Sequence, residues 1–197
     1  MSQACSLEFT LGGVDWDTYQ KSDLKKNDPR WVKIIREDLA SGVLPYESDN
    51  HLNWITHIPG RPEHVGQDEV SICFAHSRRC FPIDPRDLTR MYFEGREQAD
   101  MLAAYIKKRI PGFANSFLTA TASLLGVRES RRIVGEYRLT AEDIAFCRKH
   151  DDVIAISNHG YDIHNFESTG NIKWAPIQLN GETQYVIGNS GGFGTTT

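Results

Sequence analysis

The chain opens with a clear alternation of apolar and polar residues over positions 6–11. Its apolar positions are Leu7, Phe9 and Leu11, and its polar positions are Ser6, Glu8 and Thr10. A period of two residues predicts a strand with one buried face. The pair Gly12-Gly13 is expected to end this strand.

Two segments show helical periodicity. Asp28-Pro29 supplies a cap and a first helical residue for RWVKIIREDLASG, which is predicted to stop at Gly42. Asp84 precedes a longer helix over residues 85–109, whose apolar residues form one stripe. Gly95 and Ala99 are small and lie on that stripe, so this helix is expected to approach a sheet closely.

The remaining elements are shorter. Strands are predicted around residues 52–57, 70–76, 132–137, 153–157 and 183–187. A short helix is predicted over residues 115–122, and a buried strand or turn over residues 124–127. Thr140 and Asp143 resemble a capping box that opens a helix through Lys149. The pattern therefore predicts an α+β fold, with helices packed on a mixed, mainly antiparallel sheet in a single domain.

The apolar faces also predict a core. Its members are expected to be Leu7, Phe9, Phe74, Leu88, Tyr92, Leu102, Ile106, Leu125, Ile133 and Val134.

Composition limits the classes of partner. With 197 residues the chain is long enough for a substantial core, and its net charge of −4 predicts neither nucleic acid nor an anionic membrane as a partner. No apolar run approaches the ~20 residues of a membrane helix, and the N-terminus does not resemble a signal peptide.

The four cysteines are scattered and are interpreted as reduced thiols. A disulfide between Cys73 and Cys80 across a turn is the alternative. The seven histidines show no ligand spacing, so no metal site is predicted.

Positions 124–143 carry the most informative chemistry. Arg128, Arg131, Arg132 and Arg138 are interleaved with apolar residues in a stretch that otherwise looks like core. Guanidinium groups in such surroundings need anions, because a charge is rarely buried without a partner. Those anions are either internal carboxylates in a salt-bridged corner or a bound ligand.

The run GVRESRRIVGEYRLTAEDI at these positions resembles the substrate-domain region of a bacterial family of FAD-dependent oxidoreductases. These are large flavoproteins in which a Rossmann-type FAD domain is interrupted by a substrate domain. Similar stretches occur in the same order across residues 5–165: FTLGGVD, DPRDLT, EGREQA, PGF and YDIHN.

Two features depart from the family pattern. The phosphate-binding arrangement of strand, GxGxxG and helix is absent, and the tail over residues 166–197 is atypical. The glycine-rich stretch at residues 188–194 precedes only Thr195-Thr196-Thr197, and it is interpreted as a frayed terminus rather than a phosphate loop. The resemblance thus implies that residues 1–197 are a substrate (cap) domain fragment. FAD is expected in the intact protein but not bound to this chain alone.

In flavoproteins of this kind the substrate lies between the flavin ring and a sheet of the substrate domain, so the resemblance implies a role in orienting an anionic or polar small molecule. Arg128 and Arg131 are the candidate catalytic residues facing the cleft, because their planar forks suit carboxylate or phosphate groups. Arg132 is expected to be buried and paired with Glu129 or Glu136.

Arg132 and Glu129 are also candidates for facing substrate or cofactor, and three further residues join them. His76 follows a predicted strand, with an exposed loop as the alternative interpretation. Tyr161 and His164 lie in a stretch rich in groups that exchange protons near neutral pH.

The expected partners are the FAD-binding domain of the parent protein and the substrate, with self-association through a face that this domain would otherwise cover. This chain alone is expected to be almost inactive as an oxidoreductase. The alternative is a free-standing α+β ligand-binding or interaction module without redox activity.

Overall fold

The structure is a computed structural model. It describes residues 3–25, 28–44, 54–58, 68–140, 142–143, 146, 148–153, 177–179 and 182–184. The chain divides into two compact units. The first comprises Met1–Ser130 with Asn165–Gly170, and the second comprises Arg131–His164 with Asn171–Thr197.

The first unit contains most of the secondary structure. Its strands are β1 (Cys5–Ser6), β2 (Phe9–Val14), β3 (Trp54–Ile58), β4 (Asp68–Cys73), β5 (His76–Ser77) and β6 (Phe117–Thr121). Its helices are α1 (Trp16–Lys21), α2 (Arg30–Ala40) and α3 (Pro85–Arg109). Four strands form a sheet in the order β3-β4-β2-β6, and β1 pairs with β5. Every pairing is antiparallel, which confirms the predicted α+β class.

One face of the four-stranded sheet forms the core. Phe9, Ile72 and Ile55 are register partners on neighbouring strands, and all three are buried. They belong to one hydrophobic cluster with Trp31 of α2 and Ile106 of α3. The sheet therefore has one covered face, and its alternate side chains point the other way.

Helix α3 has the predicted bounds. Asp84 caps it by accepting a hydrogen bond from the backbone N–H of Arg86 at 2.8 Å. Gly95 is buried, and a Cβ at this position would lie 2.7 Å from the Cβ of Leu7. The expected close approach of this helix is confirmed.

Three predictions for the first unit need correction. Gly12-Gly13 does not end β2, which continues to Val14 through an irregular register with β4. The helix predicted over residues 115–122 is wrong, because this stretch pairs with β2 as β6. The strand predicted over residues 70–76 is interrupted after Cys73, and His76–Ser77 pairs with β1 instead.

The core prediction holds for half of the residues named. Leu7, Phe9, Phe74, Leu102 and Ile106 are buried. Leu88, Tyr92 and Leu125 are only partly buried. In the predicted strand or turn at 124–127, Gly126 bridges to Ser6, but the Leu124 side chain is exposed.

The second unit differs most from expectation. The strand predicted over residues 132–137 is wrong: no strand is assigned there, and Ile133 (93% exposed) and Val134 are not in a core. Their branched side chains favour a strand, but no described strand pairs with this stretch, and an unpaired strand is not stable in water.

Of the other predictions for the second unit, some are confirmed and some are wrong. The capping box is confirmed, because Thr140 and Asp143 exchange backbone-to-side-chain hydrogen bonds. The helix that it opens does not reach Lys149, which is not helical. The strand predicted over residues 183–187 corresponds in part to a hairpin of β7 (Ile177–Leu179) and β8 (Glu182–Gln184). Residues 154–157 lie outside the described part of the chain.

Candidate functional site

The face of the four-stranded sheet that no described helix covers carries a row of hydroxyl groups. Thr56, Ser71 and Thr10 are register partners on β3, β4 and β2. Thr119 of β6 extends the row, because its Oγ1 lies 2.6 Å from the Oγ1 of Thr10. We call these four residues the hydroxyl row. Each strand of the sheet contributes one member, and each side chain is at least partly exposed.

The row depends on an irregularity in the sheet. Thr10 is the register partner of Ala120, and the register shifts between Thr10 and Leu11. This shift brings the hydroxyl of Thr119 beside that of Thr10. A regular register would leave a methyl group at the end of the row.

Two clefts lie along this face. The smaller, of about 250 Å³, is lined by Glu8, Thr56, Ser71 and Cys73. The larger measures about 410 Å³. Its lining residues are Ser6, Glu8, Cys73, Ala122, Leu124, Leu125, Gly126, Val127 and Arg128. The clefts share Glu8 and Cys73, and together we call them the sheet groove.

Arg128 is held at the end of the larger cleft by backbone contacts. Its Nη1 donates to the carbonyl oxygen of Ala4 at 2.8 Å, and its Nη2 lies 3.5 Å from Nε2 of His76. The segment before it is fixed by two backbone hydrogen bonds between Ser6 and Gly126. A guanidinium has five N–H groups, so donors remain for a ligand.

Two polar side chains complete the groove. Glu8 accepts a hydrogen bond from Ser71 Oγ at 3.2 Å, which leaves most of its acceptor positions open. Ser6 is 5% exposed, and its Oγ has no hydrogen-bond partner among the described residues. A buried hydroxyl without a partner is unfavourable, and a bound molecule would relieve this.

The structure brings together only some of the predicted site residues. His76 contacts Arg128 and is buried in β5, so its interpretation as an exposed loop residue is wrong. Glu129 is partly buried in the first unit. Tyr161 and His164 lie outside the described residues.

The burial of the three arginines differs from expectation. Arg132 was expected to be buried, but it is exposed, as is Arg131, and both belong to the second unit. Arg128 is partly buried, and its side chain is anchored to the backbone of Ala4. The strand meant to bury Arg132 does not form, which explains the error. The alternation over residues 6–11 predicted that Ser6, Glu8 and Thr10 lie on the polar side of a strand. It pointed to no function for these three residues.

Two of the described thiols, Cys5 and Cys80, are held in the unreactive protonated form. Cys5, Cys73 and Cys80 are all free, as predicted, and Cys73 forms no disulfide with Cys80. Burial raises the pKa of the Cys5 thiol, and it raises the pKa of Cys80 to about 11. Both thiols are therefore protonated at neutral pH, when only a thiolate is reactive. Within the same described ranges, no three His, Cys, Asp or Glu residues gather as a metal site.

A polar cluster in the second unit was only partly visible in the sequence. Asp143 is 6% exposed and accepts hydrogen bonds from Tyr137 Oη at 2.6 Å, from the Thr140 N–H at 2.8 Å and from Arg148 Nη1 at 2.9 Å. These donors hold the pKa of its carboxyl well below the ordinary range, with Tyr137 the largest cause. The capping-box spacing pointed to Thr140, but nothing pointed to Tyr137 or Arg148.

Comparisons with known proteins give one match. A family model described as FAD dependent oxidoreductase matches residues 1–188. Neither the curated proteins nor the solved structures yielded a match. Among the helices that the structure describes, none is long and apolar enough to cross a membrane.

Proposed function

The chain belongs to the FAD-dependent oxidoreductase family, and from that premise we propose that it is the substrate-binding portion of such an enzyme. The family indicates oxidoreductase activity and an FAD cofactor for the intact protein. In our proposal the sheet groove receives a polar or anionic small molecule and orients it against the flavin. The observation that carries the proposal is a sheet with one covered face and one open, polar face that ends at Arg128.

The described helices do not suit the pyrophosphate of FAD. A carboxylate occupies the N-terminus of α1, α2 and α3, where Asp15, Asp28 and Asp84 accept hydrogen bonds from backbone N–H groups. These groups are the ones that a phosphate would use, and the carboxylate charge opposes a second anion. We therefore propose that a separate FAD-binding domain of the parent protein holds the cofactor.

Arg128 is proposed to bind and orient the substrate. Its backbone contact with Ala4 fixes one N–H, and the remaining donors of the fork can hold an oxygen of the substrate. Arg131 remains a proposed site residue because it is exposed and lies in the arginine motif. Glu129, Arg132, Tyr161 and His164 are retained as proposed neighbours of the substrate or cofactor.

The test replaces Arg128 by lysine in the intact protein. Candidate substrates from the hydroxy acids, amino acids and sugars are first screened for anaerobic bleaching of the bound flavin. We expect Arg128→Lys to lower the bleaching rate about 10- to 100-fold, because a point charge cannot reproduce the fork and a charged hydrogen bond contributes about 1.5–3 kcal/mol. Arg36→Lys, at an exposed position of α2, is the matched control.

Equal rates for Arg128→Lys and the control would contradict a substrate-binding role. The cofactor assignment has its own readout, a titration of the 197-residue chain with FAD. Stoichiometric binding of FAD to this chain would contradict the proposal that a separate domain holds the cofactor.

A further inference from the structure

We propose that the sheet groove recognises a neutral polyhydroxylated molecule of carbohydrate type. This inference rests on the proposed function, because it names the class of substrate for the same site. Three properties of the groove lead to it: its balance of charge, its hydroxyl groups and its apolar lining.

The charges of the groove disfavour a small anion as the main ligand. Among the described residues that line the two clefts, Arg128 supplies the positive charge and Glu8 the negative charge. Glu8 lines both clefts, so an anion anywhere in the groove lies near a carboxylate, and like charges at close range repel. A neutral ligand avoids this repulsion and can still accept hydrogen bonds from Arg128.

The polar groups match ligand hydroxyls, which both donate and accept. A carboxylate only accepts, so Glu8 needs donors, and Ser71 Oγ supplies one of them. Thr56 offers one donor and two acceptor positions beside it, and Ser71, whose donor is used by Glu8, offers acceptor positions. Two adjacent hydroxyls of a sugar could bond to Glu8 and this part of the hydroxyl row together.

Ser6 is the independent observation that points to a ligand. Ser6 lines the larger cleft, and its buried Oγ has no partner among the described residues. A hydroxyl of the bound molecule would supply the missing hydrogen bond.

Part of the lining of the larger cleft is apolar. Leu124 is exposed and lines the cleft with Leu125 and Val127. Aliphatic side chains in the same groove as hydroxyl groups suit a sugar ring, which has C–H faces and hydroxyl edges. The volume of about 410 Å³ falls within the usual range for small-molecule sites.

The experiment measures binding to the 197-residue chain by saturation-transfer NMR and calorimetry. The probes are maltose and glucose as neutral polyols, with glucuronate and glucosamine as the anionic and cationic relatives of glucose. Maltose and glucose are expected to bind, and glucuronate is expected to bind at least fivefold more weakly than glucose. Absence of maltose binding, or tighter binding of glucuronate or of glucosamine than of glucose, would overturn the neutral class.

Two substitutions test the site itself. Glu8→Gln should weaken maltose binding at least fivefold, whereas Glu97→Gln on an exposed position of α3 should not change it. Ser6→Ala should weaken binding without lowering the melting temperature, because Ser6 Oγ has no partner within the described fold to lose. Unchanged maltose affinity in both groove variants would overturn the assignment.

The two proposals fail separately. If Arg128→Lys slows flavin bleaching in the intact protein but maltose does not bind, the substrate class is wrong and the proposed function stands. If maltose binds in the groove but the flavin of the Arg128→Lys variant bleaches at the control rate, the ligand class stands and the proposed function fails.

Discussion

Asp143 shows how a single carboxylate can make the second unit sensitive to acid. Hydrogen bonds from Tyr137, Thr140 and Arg148 favour its ionised form and lower its pKa in the folded state. A group whose pKa is lowered in the folded state stabilises the protein at pH values above its ordinary pKa, here 3.8. That contribution is lost as the pH falls from this value through the folded pKa.

We therefore predict that Tyr137→Phe raises the pKa of Asp143, because it removes the largest cause of the shift. NMR titration of the Asp143 carboxyl carbon across the acidic range measures this. Tyr92→Phe is the matched control, since the Tyr92 hydroxyl donates to the carbonyl of Ser123 in the first unit. An Asp143 pKa that is the same in both variants would contradict the network.

At the scale of elements, the contact between α3 and the segment before β2 depends on a missing side chain. Gly95→Ala would place a Cβ 2.7 Å from Leu7 Cβ, and the fully buried Leu7 has little room to move. We predict a loss of about 1–3 kcal/mol in unfolding free energy from overpacking, measured by urea denaturation.

The double variant that combines Gly95→Ala with Leu7→Ala provides the control. Leu7→Ala keeps Cβ but removes Cγ and Cδ2, two of the three Leu7 atoms that the new methyl group would meet. The loss in the double variant should therefore be smaller than the sum of the two single losses. If Gly95→Ala instead stabilises the protein by about 1 kcal/mol, as helix propensity alone would give, the close approach is wrong.

How well each element was predicted depends on where its determinants lie. Helix α3 has its cap at Asp84 and its apolar stripe within its own sequence, so both ends were predicted correctly. Strand β6 exists because it pairs with β2, which is distant in sequence, and Phe117–Thr121 contains no local signal of that pairing. The strand prediction around Ile133 was wrong for the opposite reason. The residues there prefer a strand locally, but no described strand pairs with them.

At the scale of the whole molecule, the described core lies in the first unit. The largest fully buried side chains, such as Trp31, Phe9, Phe74 and Phe113, all belong to it. The free energy of unfolding should therefore depend on this unit, while exposed apolar residues of the second unit contribute little to it.

Two isoleucines test this division. We predict that Ile106→Ala costs about 2–5 kcal/mol, because its side chain is fully buried. Ile133→Ala should cost less than about 0.5 kcal/mol, because its side chain is almost fully exposed. Denaturant unfolding of the two variants measures both, and comparable losses would show that residues 131–137 are part of a core. Self-association through an exposed face stays a prediction that sedimentation can test.

The candidate site was less predictable than the fold. Alternation over residues 6–11 identified Ser6, Glu8 and Thr10 as the polar side of a predicted strand. That Thr10 stands in line with Ser71 and Thr56 depends on register, and a shift of one residue would turn every side chain to the other face. Arg128 was found by its motif, but its neighbours in the groove come from the tertiary fold.

The hydroxyl row has a consequence for how proteins of this design can diversify. Thr10 projects from the open face, while its neighbours Phe9 and Leu11 fill the core. Substitutions at the row can therefore change the pattern of donors and acceptors offered to a ligand while the packed side of the same strands stays intact. The sheet keeps ligand preference and thermodynamic stability on opposite sides of one backbone, so the first is free to vary without loss of the second.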